Sequence, residues 1–157
     1  MPTRIATLMQ RSGRPAPDDR GDFIRSIFVS LACKYRLVLE QLERVTGVLI
    51  DTVHIVGGGA RNRLLCQLTA DITGRHVLAG PAEASALGNI LMQACALGYV
   101  SGFEEVREFA RTSFPPAPYD PSADSRHADT TYRHFLEITG LSSPKGWSVG
   151  QGRGRGR

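Results

Sequence analysis

The run Gly57-Gly58-Gly59-Ala60-Arg61-Asn62 is the stretch of this chain whose residue types and spacing best suit chemistry. It follows the β-branched, apolar segment Thr52-Val53-His54-Ile55-Val56 and precedes Leu64, Leu65, Leu68 and Ile72, which recur at helical steps up to Gly74. Glycines in a strand-to-helix turn let the backbone approach a ligand closely, and the first turn of the helix offers unpaired N–H groups. That arrangement suits a nucleotide. Two nucleotide signatures are nevertheless absent. The dinucleotide pattern GxGxxG needs glycine where Asn62 stands, and an acid ~20 residues further on to hold the ribose. Asp71 comes too early for that role and Glu83 belongs to the next element. A Walker loop needs Gly-Lys followed by Ser or Thr, which the chain lacks. From these residues alone the turn either holds a nucleotide or only reverses the chain.

Other reactive types are scattered. Cys33, Cys66 and Cys95 lie far apart in apolar periodic segments, with no CxxC pair and no histidine at ligand spacing, so neither a disulfide scaffold nor a zinc site is expected. Cys33 reads as a small half-buried hydrophobe rather than a reactive thiol. His54 and Asp71 have no acid–base partner nearby in sequence and read as structural. Arg61 and Arg63 could touch phosphate, although arginines at a helix start usually face solvent. The Asn62 amide has donors and acceptors for an adenine edge, and it could equally cap the helix beginning at Arg63.

The elements that must position the turn can be read on either side of it. Ile5, Leu8 and Met9 predict a short amphipathic helix, closed by Gly13 and the turn Pro15-Ala16-Pro17. Asp18 and Asp19 then open the strongest helix, with Phe23, Ile27, Leu31, Tyr35, Val38, Leu42 and Val45 as its apolar stripe and Gly47 as its end. After the glycine turn and its helix, His76-Val77-Leu78-Ala79 predicts a second strand, broken by Gly80-Pro81. Glu83 to Leu97 predicts a helix whose Ala84, Ala86 and Gly88 allow close packing, with Glu83 complementing its dipole. Glu104 to Arg111 predicts a further helix, Pro115-Pro116-Ala117-Pro118 an extended connector, and Tyr132, Phe135, Leu136 and Ile138 a last helix ending at Gly140. The fold class is α/β and helix-rich, with a small parallel sheet. Two short parallel strands make an unfinished sheet, so either further strands are hidden or the chain is part of a larger protein.

The 157 residues are 41% hydrophobic and 22% charged, within the range of one globular domain. No apolar run approaches the ~20 residues of a membrane span and no leader pattern opens the chain, which predicts a cytoplasmic protein without membrane contact. The net charge of +4 is confined to Lys145, Arg153, Arg155 and Arg157. The preceding residues carry 15 basic and 15 acidic side chains and are neutral. Residues 1–140 are therefore expected to form the domain and 141–157 a disordered Gly/Arg-rich tail. Three arginines beside a neutral domain, without interleaved aromatics, argue against nucleic-acid binding.

The segments His54-Ile55-Val56-Gly57-Gly58-Gly59-Ala60-Arg61-Asn62-Arg63-Leu64-Leu65-Cys66-Gln67-Leu68-Thr69-Ala70-Asp71 and Val77-Leu78-Ala79-Gly80-Pro81-Ala82-Glu83-Ala84-Ser85-Ala86-Leu87-Gly88-Asn89-Ile90 resemble the C-terminal domain of FGGY-family carbohydrate kinases. Within that family they are most similar to the rhamnulokinase branch, over roughly residues 2–135. The resemblance implies part of an actin-like (ribonuclease-H-like) ATP-binding lobe in a kinase that transfers phosphate from ATP to a ketose hydroxyl. For the rhamnulokinase branch the product is L-rhamnulose 1-phosphate. It further implies that Gly58, Gly59 and Asn62 lie against the nucleotide, with Gly59 foremost. The catalytic aspartate, the sugar contacts and the Mg²⁺ ligands of that family belong to segments this chain does not match. The resemblance thus implies a fragment, or a split or truncated gene product, that is inactive alone and meets sugar only through a separate N-terminal lobe. The alternative is a non-catalytic nucleotide-binding or partner-binding lobe.

Overall fold

The computed structural model describes residues 2–11, 13, 19–122 and 125–141. The Pro15–Pro17 turn and residues 142–157 of the tail expected to be disordered lie outside the described residues. Helix α1 spans Pro2–Arg11 and α2 spans Arg20–Thr46. Asp19 caps α2 by accepting from the Asp22 N–H at 2.8 Å, and Gly47 closes it at φ 70°, a left-handed conformation that glycine adopts without strain. Strand β1 is Thr52–Ile55, followed by a single 3₁₀ stretch, Gly57–Arg61, and helix α3, Arg63–Thr73. Strand β2 (His76–Ala79), α4 (Ala84–Ala96), α5 (Phe103–Ser113), β3 (Ala117–Tyr119) and α6 (Ser125–Thr139) complete the order.

β1 and β2 pair in parallel, Thr52 opposite His76 and Ile55 opposite Ala79, with α3 as the crossover. The sheet is mixed rather than purely parallel. The segment Ala117–Tyr119, expected as a connector, adds an antiparallel third strand, with Leu78 opposite Pro118 and Val77 opposite Tyr119. Proline is tolerated there because β3 is an edge, where a missing N–H costs no ladder bond. The strand order is β1-β2-β3, leaving β1 as the other edge.

Two apolar clusters hold these pieces. Val77, Ala79, Cys66 and Ala70 join α3 to the sheet, with Val53, Ile55 and Tyr119 packed around them. Ala32, Cys33, Leu37, Leu68, Ile72 and Tyr132 join α2, α3 and α6. Arg36 laces the second cluster: its Nη1 donates to the Ile72 carbonyl and to Asp129, its Nε to Glu40, and the guanidinium lies 4.3 Å from the Tyr132 ring centre. Glu43 is buried, accepts from Arg75 at 2.9 and 3.2 Å and from the Ile50 N–H at 2.8 Å, and so ties the end of α2 to the starts of both parallel strands.

Two expectations about packing are corrected. α2 turns Ala32, Cys33 and Leu37 inward, whereas Leu31, Tyr35, Val38, Leu42 and Val45 of the expected stripe stay exposed. Among the described residues the close packing expected of Ala84, Ala86 and Gly88 is not found at the last two. Ala86 is exposed, and a Cβ added at Gly88 would meet nothing within 4 Å.

Candidate nucleotide site

Because β1 and β2 run in parallel, the turns that follow them emerge side by side at one end of the sheet. The Gly57 N–H donates to the Pro81 carbonyl at 3.0 Å, and the Gly80 N–H donates to the Ile55 carbonyl at 2.8 Å. A Cβ at Gly80 would lie 3.2 Å from Val56 Cγ1, so the two turns approach too closely there for a larger residue without adjustment. Gly57 itself sits at φ +76°. These contacts fix the glycine turn as one wall of a surface built from both loops.

The three glycines do different things. A Cβ on Gly58 would point into open space, with nothing within 4 Å. A Cβ on Gly59 would point inward, 3.4 Å from Ile55 Cγ2 and 4.0 Å from Leu65 Cδ2. Room for a ligand is therefore left by the missing side chain of Gly58, while Gly59 gives room for packing beneath the turn. Asn62 accepts from the Leu65 N–H at 3.0 Å through Oδ1 and caps α3. Its amide nitrogen has no hydrogen bond among the described residues, so donors remain for a ligand while the cap is made. The two readings of Asn62 are compatible.

Arg61 donates to Glu83 at 3.0 Å and bridges the two turns across their solvent side. With both side chains about three-quarters exposed, at 70% and 75%, this pair adds little stability. In this structure the Arg61 guanidinium is turned toward Glu83. The signal was present in the sequence as opposite charges in two turns that parallel pairing brings together. His54 is exposed on β1. Asp71 accepts from Gln67 Nε2 at 2.9 Å and the Ser122 N–H at 2.8 Å, fastening the segment after β3 to α3. It has a structural role.

The buried Cys66 thiol lies beneath the turn and donates to the carbonyls of Gly59 at 3.7 Å and Ala60 at 3.9 Å, whereas Cys33 is buried between α2, α3 and α6. Burial pushes the Cys33 thiol up to about 11, with Arg36 pulling weakly the other way. Burial also raises that of Cys66. Among the described residues no group of three or more His, Cys, Asp or Glu side chains is placed to hold a metal. An apolar groove of about 650 Å³ lies between α1, α2 and α6, lined by residues such as Ile5, Met9, Ile27 and Phe135, and shares no residue with either turn.

Residues 1–97 match the profile of the FGGY family of carbohydrate kinases, C-terminal domain. The chain belongs to the FGGY family of carbohydrate kinases. A rhamnulokinase from Bacteroides thetaiotaomicron is 41% identical over 86% of this chain, covering 28% of its own length. Rhamnulokinases from Enterococcus faecalis and Bacillus subtilis are 38% and 44% identical over 90% and 67% of the chain, covering 29% and 22% of theirs. The chain thus spans less than a third of the length of these relatives. Membership of the FGGY family accounts for the actin-like fold, and the helix-rich architecture around β1, the glycine turn, α3 and β2 is that of its C-terminal domain. Among the described residues no helix is long and apolar enough to cross a membrane.

Proposed function

We propose that this chain forms part of the ATP-binding lobe of an ATP-dependent sugar kinase, with L-rhamnulose as the acceptor, and that adenosine lies over the turn Gly57–Asn62. The observation that carries the reading is the open surface at Gly58, set at the C-terminal end of parallel strands and flanked by the free amide donors of Asn62. Crevices at the carboxyl ends of parallel strands are where α/β sheets bind ligands. Gly58 leaves space for purine or ribose, Asn62 offers donors to the base edge, and Gly59 lets Ile55 and Leu65 pack under the turn. Family membership and the rhamnulokinase relatives support ATP and the sugar class.

Phosphoryl transfer needs a carboxylate to accept the hydroxyl proton and a divalent metal to bridge the phosphates. In this proposal both, together with the sugar contacts, come from polypeptide outside this chain, which is catalytically silent alone and works in a cytoplasmic setting. No nucleic-acid or membrane role is part of it.

Isothermal titration with Mg-ATP tests the reading, using Gly58→Leu as the site variant. Wild-type chain should bind, and Gly58→Leu should keep the fold by circular dichroism while losing binding at least tenfold. Equal binding by both would remove the turn from the nucleotide site. Phosphorylation of L-rhamnulose by the purified chain alone would refute its catalytic silence.

A further inference from the structure

The open face of Gly58 serves a ligand only if the turn that carries it is held at a fixed height. A 3₁₀ stretch as short as Gly57–Arg61 does little of this by itself, because its own hydrogen-bond geometry is poor. Its far end is tied down where the Asn62 N–H donates to the Gly59 carbonyl at 3.1 Å. From below, the turn rests on α3 and β1. Ile55 and Leu65 fill the space under Gly59, and Cys66 reaches further in. Its fully buried thiol stands one helical turn beyond Asn62 and donates to two carbonyls of the turn, those of Gly59 at 3.7 Å and Ala60 at 3.9 Å. Among the described residues no other side chain donates to a carbonyl of this turn. The Cys66 backbone N–H meanwhile donates to the Asn62 carbonyl at 3.0 Å. One residue is thus bonded to the underside of the glycines through its side chain and to Asn62 through its main chain.

A thiol suits this position for two reasons. It is apolar enough to belong to the cluster with Ala70, Val77 and Ala79, and it still carries a weak donor for the carbonyls above it. Burial raises its pKa, so the proton stays on sulfur at neutral pH and the thiol donates rather than reacts. We propose that Cys66 is a positioning residue for nucleotide binding: by holding Gly59 and Ala60 from beneath while its backbone holds Asn62, it fixes the geometry at which the open face of Gly58 and the Asn62 amide donors meet the nucleotide. Cys66 touches no ligand itself and acts through the turn. This rests on the nucleotide reading above and deepens it by naming what sets the shape of that surface. Binding groups whose supporting layer is loose lose affinity although every one of them is still present.

Three variants of the full chain test this, compared with the wild type by thermal melts, by nitrogen–proton NMR spectra without nucleotide and by isothermal titration with Mg-ATP. Cys66→Ala removes the donor, Cys66→Ser returns one on a shorter arm, and Cys33→Ala removes an equally buried thiol from the other apolar cluster. Cys66→Ala should weaken Mg-ATP binding about fivefold, and Cys66→Ser should bind within about twofold of the wild type. Cys33→Ala should lower Tm while leaving the affinity unchanged. The Gly58 and Asn62 amide resonances should move in Cys66→Ala and lie nearer their wild-type positions in Cys66→Ser. Should Cys66→Ala not fold by circular dichroism, Cys66→Val, which fills the volume without a donor, takes its place with the same expected loss. Wild-type affinity in the donor-free variant, no recovery in Cys66→Ser, or an equal loss in Cys33→Ala would each overturn the proposal, the last by showing that affinity simply follows stability. Absence of Mg-ATP binding by the wild type sinks the nucleotide reading and this proposal together, whereas any of the three results beside a wild type that binds sinks only the role of Cys66.

Discussion

Asn62 is asked to do two jobs, and three side chains at that position separate them. Its Oδ1 accepts from the Leu65 N–H at 3.0 Å, so Asn62→Ala leaves one helix-terminal donor without its cap. Such a loss costs about 1 kcal/mol, within a range of roughly 0.5 to 2. For a domain of this size that lowers Tm by about 2–4 °C. Asn62→Asp keeps an acceptor in the same place and adds negative charge at the N-terminus of α3, so its stability should equal or slightly exceed that of the wild type. Nucleotide binding should follow a different order. Both variants remove the amide donors, a loss of about 1 kcal/mol or five- to tenfold in affinity, and the aspartate adds repulsion toward an anionic ligand. Stability is therefore expected to rank Asp at or above Asn, then Ala, whereas affinity for Mg-ATP ranks Asn, then Ala, then Asp. Thermal melts followed by circular dichroism give the first order and isothermal titration the second. Wild-type affinity in Asn62→Asp would mean that the residue caps α3 and nothing more. An unchanged Tm in Asn62→Ala would refute the capping argument.

Four further outcomes follow from the packing. Arg75→Ala strands the buried carboxylate of Glu43 and should cost about 2–3 kcal/mol, most of it recovered when Glu43→Gln is added, as read by urea unfolding of the single and double variants. Arg36→Lys retains charge but cannot serve Ile72, Asp129 and Glu40 together, and should cost about 1–2 kcal/mol by the same assay. Gly57→Ala places a Cβ at φ +76° and should destabilise by about 1 kcal/mol, whereas Gly58→Ala, with open space around it and no positive φ, should not. Cys33 ionises at about 11 in the fold against 9.0 ordinarily, so the unfolded chain loses that proton first. Stability is full below pH 9 and declines as pH rises toward 11, and Cys33→Ala should flatten that part of a stability–pH profile.

The elements around the glycine turn were legible because their ends carry punctuation with a physical cause. Asp19 caps α2 and Gly47 ends it, while Gly74 closes α3 in the left-handed conformation at φ 66°. The strand at His76–Ala79 was equally plain, being short, apolar and stopped by Gly80-Pro81. β3 was hidden because Ala117-Pro118-Tyr119 is three residues long and contains proline, which favours a connector reading wherever the tertiary partner is unseen. Periodicity cannot report that Val77 and Ala79 stand ready to pair with Tyr119 and Ala117 from some forty positions away along the chain. At the candidate site, residue types and spacing pointed to the turn Gly57–Asn62 and the family resemblance to Gly58, Gly59 and Asn62 within it, but only three dimensions separate Gly58, whose missing Cβ faces outward, from Gly59, whose missing Cβ faces Ile55.

The error on α2 is the more instructive one, because the helix was right and its inward face was wrong. The stripe with the larger side chains, Leu31, Tyr35, Val38 and Leu42, dominates any hydrophobic period, and a period has no means of knowing which of two apolar faces meets the rest of this chain. Within the described residues the contest is decided by fit. Ala32 and Cys33 are small enough for α3 and α6 to approach closely, and Arg36 on the same side finds Ile72 O, Asp129, Glu40 and the Tyr132 ring together. The bulkier stripe is then left over, beside the open edge of β1. On that argument Val38→Glu/Leu42→Glu, at side chains 39% and 47% exposed, should change the chain's urea-unfolding stability by no more than about 0.5 kcal/mol per site, whereas Cys33→Glu, fully buried, should unfold it.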